Sequence, residues 1–138
     1  MRVKKIFTLF ILSVMVFLSG CGGSAHQAAI IGLVAHTHRM MIPAGMVITV
    51  WLEDTTKSGA AGRKISEEVI KSPGEELPIP FAIVYDPNKI NEKHSYSIIA
   101  TIDDSSGKML YTNKADIPVI TKGNPTQDIY VIVLLVGG

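Results

Sequence analysis

Apolar and polar side chains alternate along several short stretches of this 138-residue chain, as expected for β-strands with one buried face. The alternation is clearest in residues 46–53 and 94–103. The inward faces are predicted to be Ile48, Val50 and Leu52 in the first stretch, and Tyr96, Ile98, Ala100 and Ile102 in the second. Both stretches are predicted to be strands of one core.

Five further stretches complete the predicted strands, namely 28–38, 65–71, 78–85, 109–112 and 127–136. Turn signals about seven residues apart favour a strand over a helix at 65–71. Pro78 and Pro80 cannot donate ladder hydrogen bonds, which places the front half of 78–85 at a sheet edge or a bulge. The last stretch is apolar on both faces and is predicted to be central. Residues 28–138 are therefore expected to form a single all-β domain, an antiparallel β-sandwich of about seven strands.

The N-terminus shows a different pattern, an apolar run from Ile6 to Leu18 that follows three basic residues. This run is shorter than the roughly 20 apolar residues of a transmembrane helix, so residues 1–20 are predicted to be a signal peptide. The run ends in Leu18-Ser19-Gly20-Cys21, which resembles the bacterial lipobox. By that resemblance Cys21 receives a covalent lipid, and residues 21–27 form a short lipidated tether.

Cys21 is the only cysteine in the chain. Once lipidated, it leaves no thiol for a disulfide, a thiolate metal site or nucleophilic catalysis, and no other cofactor is expected. Each buried methylene contributes about 0.8 kcal/mol, so several acyl chains hold a protein stably on a bilayer. Gly22 stands where an inner-membrane lipoprotein typically has aspartate. By this resemblance we expect the protein at the periplasmic face of the outer membrane.

Charge and motifs argue against two classes of function. The chain has 13 Lys+Arg and 12 Asp+Glu, and three of the basic residues lie in the signal peptide, so the mature part has a net charge of −2. That balance gives no reason to expect nucleic-acid binding. The adjacent acidic pairs, such as Glu67-Glu68, point to opposite sides of a strand rather than into one pocket. Neither a Gly-x-Ser-x-Gly elbow nor a phosphate-binding loop is present, so an enzyme is not expected.

The segment from His36 to Met46 offers the strongest candidate metal ligands. His36, His38 and Met40 share one side of a strand, and imidazole and thioether groups suit copper. The alternative is that these side chains are simply solvated at a strand end. Trp51 is predicted to pack in the core, with an exposed anchor for a partner as its alternative.

The stretch from Leu77 to Ile90, followed by His94-Ser95-Tyr96-Ser97, by Ala100 to Asp103 and by Gly107, resembles the YbaY/YscW family of small Gram-negative lipoproteins. The resemblance implies a transthyretin-like β-sandwich, and some members are pilotins, which escort secretin subunits to the outer membrane. The family-like positions are interpreted as structural, and they are Pro80, Phe81, Tyr85, Asp86, Pro87, His94, Tyr96 and Gly107. Asp86 is predicted to cap a single helical turn that has Pro87 at its first position.

Three hypotheses for function follow. The first is an outer-membrane-anchored lipoprotein that binds another envelope protein, a secretin for example, as a pilotin does. The second is a periplasmic metal-binding or small-ligand-binding lipoprotein that uses the His36 to Met46 segment. The third is an envelope maintenance protein without a single partner.

Overall fold

The structure is a computed structural model that describes residues 26–57, 59 and 61–137. The longer strands are Ala28–Ala35 (β1), Val47–Asp54 (β3), Arg63–Lys71 (β4), Ile79–Tyr85 (β6), Tyr96–Asp103 (β7), Met109–Thr112 (β8) and Ile129–Ile132 (β10). The two-residue strands are Met41–Ile42 (β2), Glu75–Glu76 (β5), Pro118–Val119 (β9) and Leu134–Leu135 (β11). These elements confirm the all-β prediction.

Two sheets enclose one apolar core. The first has the order β10-β1-β6, and the second has the order β11-β8-β7-β3-β4 with β9 also paired to β7. A small third sheet pairs β2 with β5. The predicted inward faces of the 46–53 and 94–103 stretches are confirmed, because every residue named for them is buried. Opposite them lie the inward side chains of the first sheet, Ile30, Val34, Ile79, Phe81, Ile83, Tyr85, Ile129 and Val131.

Side chains of β4 close one side of the sandwich by bonding to the outer edge of β6. The Ser66 hydroxyl donates to the carbonyl oxygen of Val84 at 2.6 Å. A carboxylate oxygen of Glu68 accepts from the amide of Ala82 at 2.7 Å. Because an unpaired strand edge is a template for aggregation, these two side chains protect β6 without extending the ladder.

The C-terminal strand closes the opposite side by passing from one sheet to the other. Residues 129–132 pair with β1, the amide of Val133 donates to the carbonyl oxygen of Ala35 at 2.9 Å, and residues 134–135 pair with β8. The prediction of one central strand at 127–136 is therefore wrong. Its two apolar faces arise because the segment lies at the edge of two sheets in turn, and Tyr130 remains 62% exposed.

Three further expectations need correction. The pairing of β1 with β10 is parallel, so the sandwich is not wholly antiparallel. The first strand ends at Ala35 rather than at residue 38, because the amide of His38 turns back to bond the His36 ring. Trp51 is half-buried on the outer face of β3 rather than in the core, and its ring lies 4.8 Å from the Lys64 ammonium.

Candidate binding groove

One end of the sandwich carries a groove of about 470 Å³, which we call the loop-end groove. Its lining residues are Tyr85, Pro87, Ile90, Glu92, Ile120, Thr121 and Lys122. Tyr85 is the last residue of β6 and pairs with Ala28, the first residue of β1. The groove therefore lies at the end of the first sheet where the chain enters the domain.

The first wall of the groove is a capped turn that follows β6. A carboxylate oxygen of Asp86 accepts from the amide of Asn88 at 2.9 Å. Pro87 opens the 3-10 turn Pro87–Lys89, which ends where the amide of Ile90 donates to the Pro87 carbonyl oxygen at 3.1 Å. An aspartate cap followed by proline fixes the direction of the chain here, as the sequence predicted.

Two tyrosines connect this wall to the core. The Tyr96 hydroxyl accepts from the amide of Asn91 at 2.9 Å and so ties the segment after the turn to β7. Tyr85 is buried except for its groove side, and burial raises the pKa of its phenol. The phenol therefore offers the groove a neutral aromatic surface at physiological pH.

The second wall is a strained loop. Ile120 has φ of 69°, and the amide of Thr121 donates to the carbonyl oxygen of Val119 at 2.8 Å. This is the rare γ-turn with a left-handed central residue, and it is especially unfavourable for a β-branched side chain. Lys122 follows with φ of 59°. Such strain persists only where surrounding contacts hold the chain, and it is concentrated at ligand-binding sites.

Those contacts come mainly from His94 and Ser95, the two residues that precede β7. The buried Thr121 hydroxyl donates to the carbonyl oxygen of His94 at 2.6 Å, and the Lys122 ammonium donates to the Ser95 hydroxyl at 2.7 Å. The side chain of Asn124 donates to the carbonyl oxygen of Thr121 at 2.7 Å. The second wall is thus built into the His94-Ser95 segment rather than left as a free loop.

An ionic cluster anchors that segment to the end of β3. Asp54 bonds the His94 ring at 2.7 Å and accepts from the amide and hydroxyl of Thr56 at 3.0 and 2.5 Å. Burial opposes ionisation of Asp54, but the hydrogen bonds from Thr56 and the interaction with His94 outweigh it and lower its pKa from 3.8 to about 2. The cluster therefore holds a charged carboxylate at neutral pH.

Comparison with known proteins places this fold in a family. The model of a family described as a type III secretion system lipoprotein chaperone (YscW) matches residues 25–131. The chain belongs to the YscW family. This membership confirms the family resemblance inferred from the stretch between Leu77 and Gly107.

Two relatives of this YscW-family protein show what it is similar to. An uncharacterized lipoprotein of Escherichia coli K12, YbaY, is 22% identical over 108 residues, which are 77% of this chain and 55% of that protein. The chain thus spans about half the length of that relative. The structure of an alternative pilotin from the type II secretion system of Vibrio cholerae matches with a TM-score of 0.70 and 28% identity, covering 78% of this chain and 97% of the pilotin.

The family-like residues divide between core and groove. Phe81 and Tyr96 are buried, and Gly107 has φ of 86° in the turn before β8. Asp86 and Pro87 begin the capped turn that forms the first wall of the groove, and Tyr85 lines the groove. The carbonyl oxygen of His94 accepts the hydrogen bond that holds the second wall. Pro80 lies on the outer face of β6, consistent with the predicted position at a sheet edge.

The candidate metal ligands do not converge. The His36 and His38 rings lie 5.9 Å apart, and Nδ1 of His36 accepts from the His38 amide at 3.2 Å. Met40 is partly buried and packs against the core, whereas His38 is exposed. Among the described residues, no group of three His, Cys, Asp or Glu side chains could hold a metal ion. The metal-binding alternative gains no support from this arrangement.

The lipobox Leu18 to Cys21 lies outside the described residues. Within the part of the chain that is described, no helix has the length and hydrophobicity to cross a membrane. The sequence also gave no sign of the second groove wall, since nothing marks Ile120 as a left-handed residue. The nearest signal is the run Gly123-Asn124-Pro125, whose residue types indicate a loop but not its role.

Proposed function

We propose that this YscW-family protein is held by a lipid on Cys21 at the periplasmic face of the outer membrane, where it binds another envelope protein in the manner of a pilotin. The match to a pilotin over 97% of that chain is the observation that carries the proposal. A secretin subunit is the client we propose, and the function includes no catalytic step.

The loop-end groove is the proposed client site. Tyr85, Ile90 and Ile120 offer an apolar floor for one inserted side chain of the client. Glu92 and Lys122 supply one charge of each sign at the rim, which can orient a segment that folds on binding. The strained second wall supports this assignment, because the fold maintains an unfavourable backbone there.

The test is an affinity pull-down of the lipidated protein from detergent-solubilised envelopes, read by mass spectrometry. We expect a secretin to be recovered, and a Glu92→Lys variant to recover several-fold less of it. The matched control is Glu67→Lys, which makes the same charge change at an exposed position of β4 that does not line the groove. Loss with Glu92→Lys and not with Glu67→Lys identifies the groove as the client site.

Two results would contradict this function. If replicate pull-downs recover no specific envelope protein, the protein does not bind a client as proposed. If both charge variants recover equal amounts of the client, the groove is not the client site. A second variant, Ile90→Ser, keeps the test independent of rim electrostatics. Its thermal unfolding should be measured first, since Ile90 packs partly against the core.

A further inference from the structure

The outer face of the three-stranded sheet is apolar across all three strands. Its outward side chains are Ala29, Ile31, Leu33 and Ala35 from β1, Pro80, Ala82 and Val84 from β6, and Tyr130 and Ile132 from β10. The strand registers make them neighbours, because Ile31 pairs with Ala82 and Leu33 pairs with both Pro80 and Tyr130. We call this surface the apolar outer face. None of its nine side chains carries a formal charge.

Exposure on this face is substantial. Tyr130 is 62% exposed, Ile31 49% and Val84 48%. Single exposed apolar side chains are ordinary on a protein surface, but a contiguous group that spans a whole sheet indicates a surface that is covered in use. The question is what covers it.

The outer face of the other sheet shows the contrast. Glu53, Lys64, Glu67 and Lys71 lie on it, and Lys64 bonds Glu67 at 2.6 Å. Pressing that face against hydrocarbon would remove charges from water at a large cost. The apolar outer face meets no such cost, so the two sides of the sandwich differ in their affinity for a lipid surface.

The length of the tether brings this face to the membrane. Six residues separate Cys21 from Ala28, the first residue of β1, and a chain of that length spans at most about 25 Å. The sheet is only about 10–15 Å wide, since neighbouring strands lie about 4.8 Å apart. A lipid on Cys21 therefore holds the whole face within reach of the leaflet at a high effective concentration.

We propose that the apolar outer face lies on the phospholipid leaflet that holds the Cys21 lipid. This inference rests on the lipid anchor of the proposed function. It adds the orientation of the domain on the membrane to the proposed location. The Tyr130 ring suits such a contact, because its apolar body can enter the acyl boundary while its hydroxyl stays among headgroups. The charged outer face then points to the periplasm, and the loop-end groove lies at the end of the sheet nearest the anchor.

Site-specific probes test the orientation in the lipidated full chain. Cys21 is the only native cysteine and its thiol is used by the lipid, so one introduced cysteine is a unique labelling site. Ile31→Cys and Tyr130→Cys place an environment-sensitive fluorophore on the apolar outer face. Val69→Cys is the matched control, because Val69 is an apolar β-strand residue of similar exposure, 59%, on the outward side of β4.

The labelled proteins are reconstituted into phosphatidylethanolamine and phosphatidylglycerol vesicles that contain lipids brominated on their acyl chains. We expect quenching of about twofold or more at positions 31 and 130, and little at position 69. Adding Val84→Glu to the Tyr130→Cys protein should restore the fluorescence, since it puts a charge in the contact. Both positions are exposed, so these changes leave the core intact.

Equal quenching at all three positions, or none at positions 31 and 130, would overturn the orientation. If the fluorophores at positions 31 and 130 become shielded from water only after envelope proteins are added, the orientation is also overturned. The face would then be a protein-docking surface. If the chain fails to associate with vesicles at all, the anchor itself is wrong. Client binding is decided separately by the pull-down, so a failed orientation and a failed function give different results.

Discussion

At the scale of single residues, the γ-turn at Ile120 should make a glycine variant more stable than an alanine variant, which is the reverse of the usual order of stability. Alanine at φ of 69° keeps the steric cost of a Cβ, whereas glycine avoids it. We predict that Ile120→Gly is more stable than Ile120→Ala by about 1 kcal/mol in urea unfolding. Both variants lose the isoleucine side chain beyond Cβ, so their difference reports mainly the effect of a Cβ at this backbone conformation.

Ile117 provides the control for that reversal. It is also a partly buried isoleucine packed against the core, but its φ is not positive. There alanine should be the more stable replacement by about 0.5–1 kcal/mol. If alanine is favoured at both positions, Ile120 is not strained, and backbone strain does not support a binding role for the second wall.

Asn113 carries a second prediction at this scale. Its side chain completes the edge of β7 between β8 and β9, because Oδ1 accepts from the Ala100 amide at 2.8 Å and Nδ2 donates to the Ile98 carbonyl oxygen at 3.2 Å. Asn113→Ala leaves both groups without a protein partner and should lower the free energy of unfolding by about 2 kcal/mol. Asn88→Ala, at an exposed position in the 3-10 turn, should change it by less than about 0.5 kcal/mol.

The ionisation of Asp54 makes the stability of the protein depend on pH. A carboxyl whose pKa falls from 3.8 in the unfolded chain to about 2 in the fold stabilises the protein above pH 4. That contribution, about 2 kcal/mol, is lost as the pH falls from about 4 to about 2. Denaturant unfolding across this range should therefore show a steeper loss for the native chain than for Asp54→Asn.

The difference in stability between the native chain and Asp54→Asn excludes the contributions of the other titrating groups. Asp104, whose pKa is lowered chiefly by the Ser106 hydroxyl and the Lys108 amide, is present in both and cancels in the difference. Parallel pH profiles for the two proteins would mean that the Asp54 cluster contributes no pH-dependent stability. The His94-Ser95 segment would then need another explanation for its fixed position.

At the scale of secondary-structure elements, the adjacent carboxylates of β4 separate into two roles. Glu68 accepts from the Ala82 amide at the edge of β6, whereas Glu67 pairs with the exposed Lys64 on the outside. We predict that Glu68→Ala lowers the free energy of unfolding by about 1 kcal/mol because it removes the hydrogen bond to a strand-edge amide. Glu67→Ala removes a solvated ion pair and should cost less than about 0.5 kcal/mol.

Hydrogen exchange gives this prediction a specific readout. The amide of Ala82 should exchange faster in Glu68→Ala and remain protected in Glu67→Ala, while Glu68→Gln retains an acceptor and most of the protection. Unchanged exchange at Ala82 in Glu68→Ala would show that the β6 edge is protected by something other than this side chain. The closure of the sandwich would then not depend on β4.

The strands themselves were accessible from the sequence because alternation is a local property. It identified the inward faces of β3 and β7, the capped turn at Asp86 and the proline-bearing edge strand β6. Long-range pairing was not accessible. Which strands pair determines the parallel contact of β1 with β10 and the passage of the C-terminus between the two sheets. A segment that is apolar on both faces has the same sequence pattern whether it is a central strand or lies at the edges of two sheets in turn.

The groove was half accessible for the same reason. Its first wall contains aspartate, proline and aromatic residues whose preferences act locally, and the family resemblance covers them. Its second wall depends on Ile120, whose own preferences oppose the conformation it adopts. Tertiary bonds from Thr121 and Lys122 impose that conformation, and sequence pattern alone carries no record of them.

At the scale of the whole molecule, folding is predicted to be independent of the proposed membrane attachment. The core is enclosed by the two sheets of the described domain, which begins seven residues after Cys21. A Cys21→Ser change removes the proposed lipid and substitutes none of the core residues. We predict that this variant keeps the thermal unfolding midpoint of the native domain in the same detergent and moves from the membrane to the soluble fraction.

The soluble variant also tests the proposed contact between the apolar outer face and the lipid surface. Without the bilayer, the apolar outer face is exposed to water, and two copies can bury Ile31 and Tyr130 against each other. Sedimentation should show concentration-dependent self-association of Cys21→Ser that a second change, Ile31→Lys, suppresses, while Val69→Lys does not. Continued fractionation of Cys21→Ser with membranes would contradict the anchor, and strictly monomeric behaviour at high concentration would show that the face has little affinity for any apolar surface.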